Sequence, residues 1–295
     1  MHCGGKTIQL NAGHYQAKIV TVGAGMAELT HGGRHLILPH KPQEMPPAHL
    51  GKVLLPWPNR VANGCYQHHG ETYNLAVNDP ISHTAIHGLL AWRDWQISHQ
   101  SATEVSLTIF LPPSYGYPFA LLAEVTYQLD ATSGLQVSIA AQNIGDQPAP
   151  YGAGAHPYLT CNREKIDRCT LTIPAQQAFS VDRHGIPMAL HSIEHGYLDF
   201  TLPRPIEATQ IDHTLKTASA GTQWEVRIAS FSQSMSTWLR SDQPWLQIYS
   251  GEKVERLGLA VEPMTCPPDA FNSGIDLISL APQETHRLHF SIGSE

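Results

Sequence analysis

The sequence contains no C-x-x-C pair. Its five cysteines, at positions 3, 65, 161, 169 and 266, are odd in number and scattered, which argues against both a disulfide framework and a thiolate zinc site. Reduced structural thiols are expected instead. Charge is also scarce: 15% of the residues are charged and the formal net charge is −7. That balance leaves no basic face for a nucleic acid or an anionic membrane. No segment approaches 18 consecutive apolar residues, and the start, M-H-C-G-G-K-T, has no apolar core of a signal peptide; a soluble, cytoplasmic protein is expected. Motifs for several chemistries are missing as well. There is no G-x-S-x-G elbow for a serine nucleophile and no H-E-x-x-H for a metal. Gly23-Ala24-Gly25 lacks the third glycine and the helical pattern of a phosphate loop. Neither a nucleotide cofactor nor a metal is therefore expected.

What the chain has in quantity is apolar residues, at 42%, with 22 prolines and 23 glycines spread throughout. It can bury a sizeable core, and no linker, repeat or low-complexity tract divides it, so one domain over residues 1–295 is expected. Alternation of period two is clear at Val105–Leu111, Val125–Leu129 and Leu135–Ile139, and again at Trp224–Ala229, Trp245–Tyr249 and His286–Ile292. This pattern marks half-buried antiparallel strands, and the short connections among the first three predict a meander. A further strand is expected over Gln16–Val22. No stretch shows a sustained 3.6 period, so the fold class read here is all-β, a sandwich of many strands. Pro39 to Pro58 holds six prolines and is expected to be a long ordered loop serving a site.

Histidine is over-represented, at 18 residues. The pairs His83/His87 and His191/His195 have metal-binding spacing only on a helix, and their flanks do not favour one. His87 stands before Gly88, which leaves room for close approach, and His156 stands between a run of small residues and Pro157. The segment Val261–Gly274, V-E-P-M-T-C-P-P-D-A-F-N-S-G, is expected to be a proline-shaped loop that presents the carboxylate of Glu262. A carboxylate with two imidazoles is a set of groups suited to moving protons near neutral pH. Trp57, Trp92, Tyr158 and Tyr249 are candidates to stack on an apolar ligand face.

Six motifs stand in the order found in the aldose 1-epimerase (galactose mutarotase) family, which the chain resembles: P-N-R-V-A-N-G with Arg60, I-H-G-L with His87, G-Y-P-F at 116–119, the run ending G-A-G-A-H-P-Y-L with His156, I-D-H-T-L with Asp212, and V-E-P-M-T-C-P-P-D-A-F-N with Glu262. The resemblance implies a large antiparallel β-sandwich with an open groove on one sheet face, a small-molecule aldose as partner and no cofactor. It implies Glu262 as general base, held ionised by a cationic or hydrogen-bonding neighbour, and His156 as general acid in its imidazolium form. His87, also a catalytic candidate, would orient the sugar together with Arg60 and Asp212. One position departs from the pattern: where many galactose mutarotases read E-T-Q, with a glutamine on the sugar, this chain has Met264. Two other functions fit the same residues, a carbohydrate-binding protein without catalysis and a glycoside hydrolase or lyase using Glu262 with Asp212.

Overall fold

The computed structural model describes residues 2–217 and 221–295. It is almost entirely β, as the alternation predicts. A nine-stranded antiparallel sheet runs from Gln96–Gln100 through Glu104–Leu111, Leu121–Asp130 and Gly134–Asn143, the expected meander, to Thr285–Ser294, Met235–Ser241, Trp224–Ser230, Cys169–Thr172 and Arg204–Pro205. An eight-stranded antiparallel sheet packs against it. Its path is Pro187–Ser192, Ala175–Val181, Asp212–Thr217, Trp245–Tyr249, Leu259–Met264, Gly154–Ala155 and Val53–Leu54, with Tyr158–Leu159 added on Leu259–Met264. A four-stranded sheet, Thr7–Ala12, Tyr15–Val20, Gly25–His31 and Arg34–His35, completes the large β-sandwich. One apolar core joins all three: Leu10 and Ile19, Val125 and Leu288, and Leu215, Ile248 and Val261 belong to the same buried cluster.

The period of two decides which residues face that core. Along Leu259–Met264, Leu259 and Val261 enter it, whereas Ala260 and Met264 pack in two smaller clusters on the opposite face. On Trp245–Tyr249, Leu246 and Ile248 turn inward, which leaves Trp245, Gln247 and Tyr249 on that same outer face. Adjacent strands keep their faces in register, with Gln247 opposite Glu262 and Thr214 opposite Gln247.

Two expectations are corrected here. Val261–Gly274 is not a loop throughout: Glu262, Pro263 and Met264 lie in a strand, and a single helical turn, Ala270–Ser273, follows. Proline is tolerated because the neighbour on one side is interrupted between Gly154 and Tyr158, where Val261 donates its N–H to the Pro157 carbonyl. The missing N–H of Pro263, two residues on, faces this same gap. Met264 is the second correction. It is fully buried against Phe179 and Trp245 and is not among the residues lining the cleft, so the E-T-Q difference falls on packing. All five cysteines are free, and Cys161, Cys169 and Cys266 are buried. Among the described residues no helix is long and apolar enough to cross a membrane.

Candidate active site

The outer face of the eight-stranded sheet forms the floor of a cleft of about 230 Å³, lined by Glu262, His156, His87, Arg60 and Asp212 among others. All five residues singled out in the sequence therefore meet in one place. The volume lies below the roughly 300–1,000 Å³ usual for drug-sized ligands and suits a single small polar molecule.

Glu262 and His156 form the centre. His156 Nε2 lies 3.3 Å from Glu262 Oε1. Both side chains are buried, and His156 Nδ1 and Glu262 Oε2 have no hydrogen-bond partner among the described residues. The loop carrying His156 is fixed by its backbone: its N–H donates to the Lys52 carbonyl and its own carbonyl accepts from Gly51, each at 2.9 Å. Small residues before it are needed for close approach. A Cβ on Gly152 would stand 2.5 Å from Cys266 Sγ. Tyr158, two residues on, stacks on the His156 ring with centroids 5.1 Å apart.

His87 enters from the opposite wall with a left-handed backbone, φ 65°. Gly88 behind it has φ 74°, and a Cβ there would lie 2.0 Å from the Leu55 carbonyl oxygen, so the close approach read from I-H-G-L is real. The Asn59 backbone N–H donates to His87 Nδ1 at 3.3 Å. That bond settles the tautomer: in the neutral ring the proton sits on Nε2. His87, His156 and Glu262 bring donor atoms within 4.8 Å of one another, which is close to a His₂Glu metal set. A ligating imidazole, however, normally gives its second N–H to an acceptor. Here the second nitrogen of His87 accepts, so the trio suits hydrogen bonding better than ligation.

Arg60 begins the short strand Arg60–Ala62, paired with Thr84–Ile86. Its Nη1 donates to Asn59 Oδ1 at 3.2 Å, and Nε is buried without a partner among the described residues. The turn at Gly185 packs over the guanidinium, where a Cβ would come within 3.1 Å of Nε. Asp212 stands across the cleft and accepts from Gln247 Nε2 at 2.6 Å, while Gln247 Oε1 accepts from Thr214 Oγ1 at 2.5 Å. Both amide ends are thereby assigned.

Burial sets the electrostatics. It lifts the carboxyl of Glu262 well above the usual carboxylate range, with a further rise from the Asp212 charge and an opposing pull from Arg60. Burial likewise drives the His156 imidazole down to about 3, helped by His49 and Lys253. His87 is depressed by burial, His49, His156 and Arg60. The expected carboxylate–imidazolium pair is thus opposed on both sides by desolvation. Desolvation favours the neutral form of the pair, a carboxylic acid beside a neutral imidazole, over carboxylate beside imidazolium.

Sequence reasoning missed several lining residues: His49, Asn78, Asp79, Gln247 and Lys253. His49 lies in the proline-rich loop expected to serve a site, ending the 3₁₀ turn Pro47–His49. Gln247 had a weaker signal, as a polar residue at a cleft-facing position of a clear strand. Of the four aromatic candidates, Tyr158 and Tyr249 line the cleft. Trp92 flanks it through His49, and Trp57 is buried in the core against Phe271.

Comparison with known proteins bears on the family and the fold. The sequence profile of the family described as aldose 1-epimerase matches residues 6–293. The chain is 59% identical over 292 residues, 99% of its length and 94% of the relative's, to YihR of Escherichia coli K12, a protein without an assigned activity. It is 27% identical over 224 residues to the aldose 1-epimerase of the same organism, covering 69% of this chain and 64% of that one; the chain therefore aligns with somewhat under two thirds of the relative that carries an activity. Among solved structures, the galactose 1-epimerase of Lactobacillus acidophilus NCFM superposes with a TM-score of 0.85 at 19% identity, over 98% of this chain and 94% of that one. An aldose epimerase homologue from C. elegans gives 0.87 at 18%, over 98% of each. With a profile that spans nearly all its length, the chain belongs to the aldose 1-epimerase family.

Proposed function

We propose that the cleft interconverts the α and β anomers of a free small-molecule aldose by acid–base ring opening and reclosure. The observation that carries this reading is the buried Glu262–His156 contact of 3.3 Å. Mutarotation needs one group to take the C1 hydroxyl proton while another gives a proton to the ring oxygen, with the roles reversed after rotation about C1–C2. A pair holding one proton has that stoichiometry. Transfer across the contact converts the acid–imidazole form into carboxylate and imidazolium without changing the net buried charge, so Glu262 can act as base and His156 as acid. The Nε2–H of His87, the Arg60 guanidinium and the Asp212 carboxylate then orient sugar oxygens. The mechanism asks nothing of a metal or redox group.

Polarimetry or saturation-transfer NMR on α-glucose and α-galactose tests the proposal. Accelerated mutarotation is expected, and Glu262→Gln and His156→Asn are each expected to lower kcat by about 10²- to 10⁴-fold with unchanged circular dichroism. Near-full mutarotation by Glu262→Gln would make the assignment of the base wrong. Sugar binding without acceleration of any aldose would favour a carbohydrate-binding protein, and release of reducing sugar from a glycoside would favour a hydrolase built on Glu262 and Asp212.

A further inference from the structure

His49 has no part in the proton transfers, yet it is built into the cleft wall. Its ring centroid lies 4.6 Å from that of His87, 6.4 Å from His156 and 5.3 Å from Trp92. Ala48 and His49 are two successive non-glycine residues with left-handed backbones, φ 48° and 53°. Such a conformation persists only where the surroundings over-determine it. Here the Ala48 carbonyl accepts from the Tyr158 hydroxyl at 3.3 Å and the Pro47 carbonyl accepts from the Leu50 N–H.

The hydrogen bonding is directional. Trp92 Nε1–H donates to His49 Nε2 at 3.3 Å, and an indole nitrogen is a donor only. The His49 proton must then lie on Nδ1, for which the described residues supply no hydrogen-bond partner. His49 and His87 are thus two neighbouring imidazoles whose tautomers are set by fixed donors, an indole N–H for one and a backbone N–H for the other.

We infer that His49 is a further sugar-contacting residue, whose Nδ1–H is a donor to a substrate oxygen and whose tautomer is fixed by Trp92. The inference rests on the aldose reading of the cleft. It selects among aldoses, because a bound sugar that covers this half-buried donor is rewarded for an oxygen at that place and penalised for lacking one. Burial, with Lys253 and Lys52 nearby, keeps the ring neutral by holding it down to about 4 against the opposing charge of Asp79, so the donor is the neutral imidazole throughout the physiological range.

Two measurements test this. In the sugar-free protein, ¹⁵N NMR of the histidine rings is expected to show His49 protonated on Nδ1 only, and Trp92→Phe is expected to introduce the Nε2–H form. In kinetics, His49→Phe keeps a ring against His87 but removes both nitrogens, and is expected to raise KM about 10- to 100-fold with kcat within a few-fold. His49→Gln, which restores a donor, should recover part of the loss. A proton on Nε2 in the unaltered protein overturns the Trp92 assignment, and an unchanged KM in His49→Phe overturns the sugar contact. If no aldose is turned over, the proposed function fails by itself; the same variants are then compared by Kd for glucose and galactose from NMR titration. Equal Kd values, or no binding by the unaltered protein, overturn the His49 contact.

Discussion

Residue by residue, the site depends on how burial places protons. Glu262 is raised and His156 is lowered from their ordinary values by the same cause, removal of charge from water. Activity requires the one-proton form of the pair, since losing the proton removes the acid and adding a second removes the base. That form is present above the depressed value of His156, about 3, and disappears as pH rises through the elevated value of Glu262. The kcat profile is therefore expected to show no acid limb near pH 6.5, where a free histidine would titrate, and to fall as pH rises through the elevated value of Glu262. Polarimetric kcat from pH 5 to pH 10 checks this, and an acid limb near 6.5 would contradict the buried pair. The pair was legible in the sequence as two residues in distinctive motifs. Its protonation was not, because desolvation depends on what other segments cover it: Tyr158 stacks on His156 from its own segment, but the wall at His87 and His49 comes from distant loops.

Strands turn the alternating pattern into a site. The alternation at Trp245–Tyr249 coincides with the strand's limits; on its outer face Gln247 and Tyr249 line the cleft, while Trp245 packs with Phe179 and Met264. The legible part of the fold was this alternation. Strands as short as Gly154–Ala155 or Val53–Leu54 are held by pairing to distant partners and carry no period of their own; the Glu262 strand is obscured because a proline, which cannot donate to the ladder, argues against a central strand, yet fits beside an interrupted neighbour. Cross-strand order also explains why Asp212 can serve the site. Thr214 donates to Gln247 and Gln247 to Asp212, so the amide is held in one orientation with its N–H on the carboxylate. Thr214→Val keeps the shape but leaves Gln247 Oε1 buried without a donor, at a cost of about 1–3 kcal/mol. Urea unfolding is expected to show that loss, and the freed amide is expected to raise KM for the sugar several-fold while kcat changes less. A KM equal to that of the unaltered protein would mean that the Thr214–Gln247–Asp212 chain supports the sheet alone.

On the scale of the whole molecule, the same buried imidazoles couple the site to stability. We propose that residues 1–295 fold as one unit, since a single apolar cluster draws on strands from Ile8 to Ile292. His49, His87 and His156 all have folded values below the ordinary 6.5, and so, to differing degrees, do His31, His35, His40, His68, His213 and His286. Below pH 6.5 the unfolded chain therefore binds protons that the native one refuses, and stability falls as pH falls. Glu262 acts in the opposite sense: its raised value means that the native state keeps a proton the unfolded chain releases above about pH 4.5, so it offsets one histidine in that window. Each unit of pH is worth at most about 1.4 kcal/mol per fully shifted group. Three site histidines less one carboxyl leave an upper limit of about 3 kcal/mol per unit, to which the remaining histidines add in the same direction. The expected result is one cooperative urea transition whose midpoint drops steadily between pH 7 and pH 5.5, and a shallower drop in His49→Phe, which removes one titrating ring. Two separated transitions would refute a single folding unit, and a midpoint that rises on acidification would show that the carboxyl, not the imidazoles, dominates the protons of this fold.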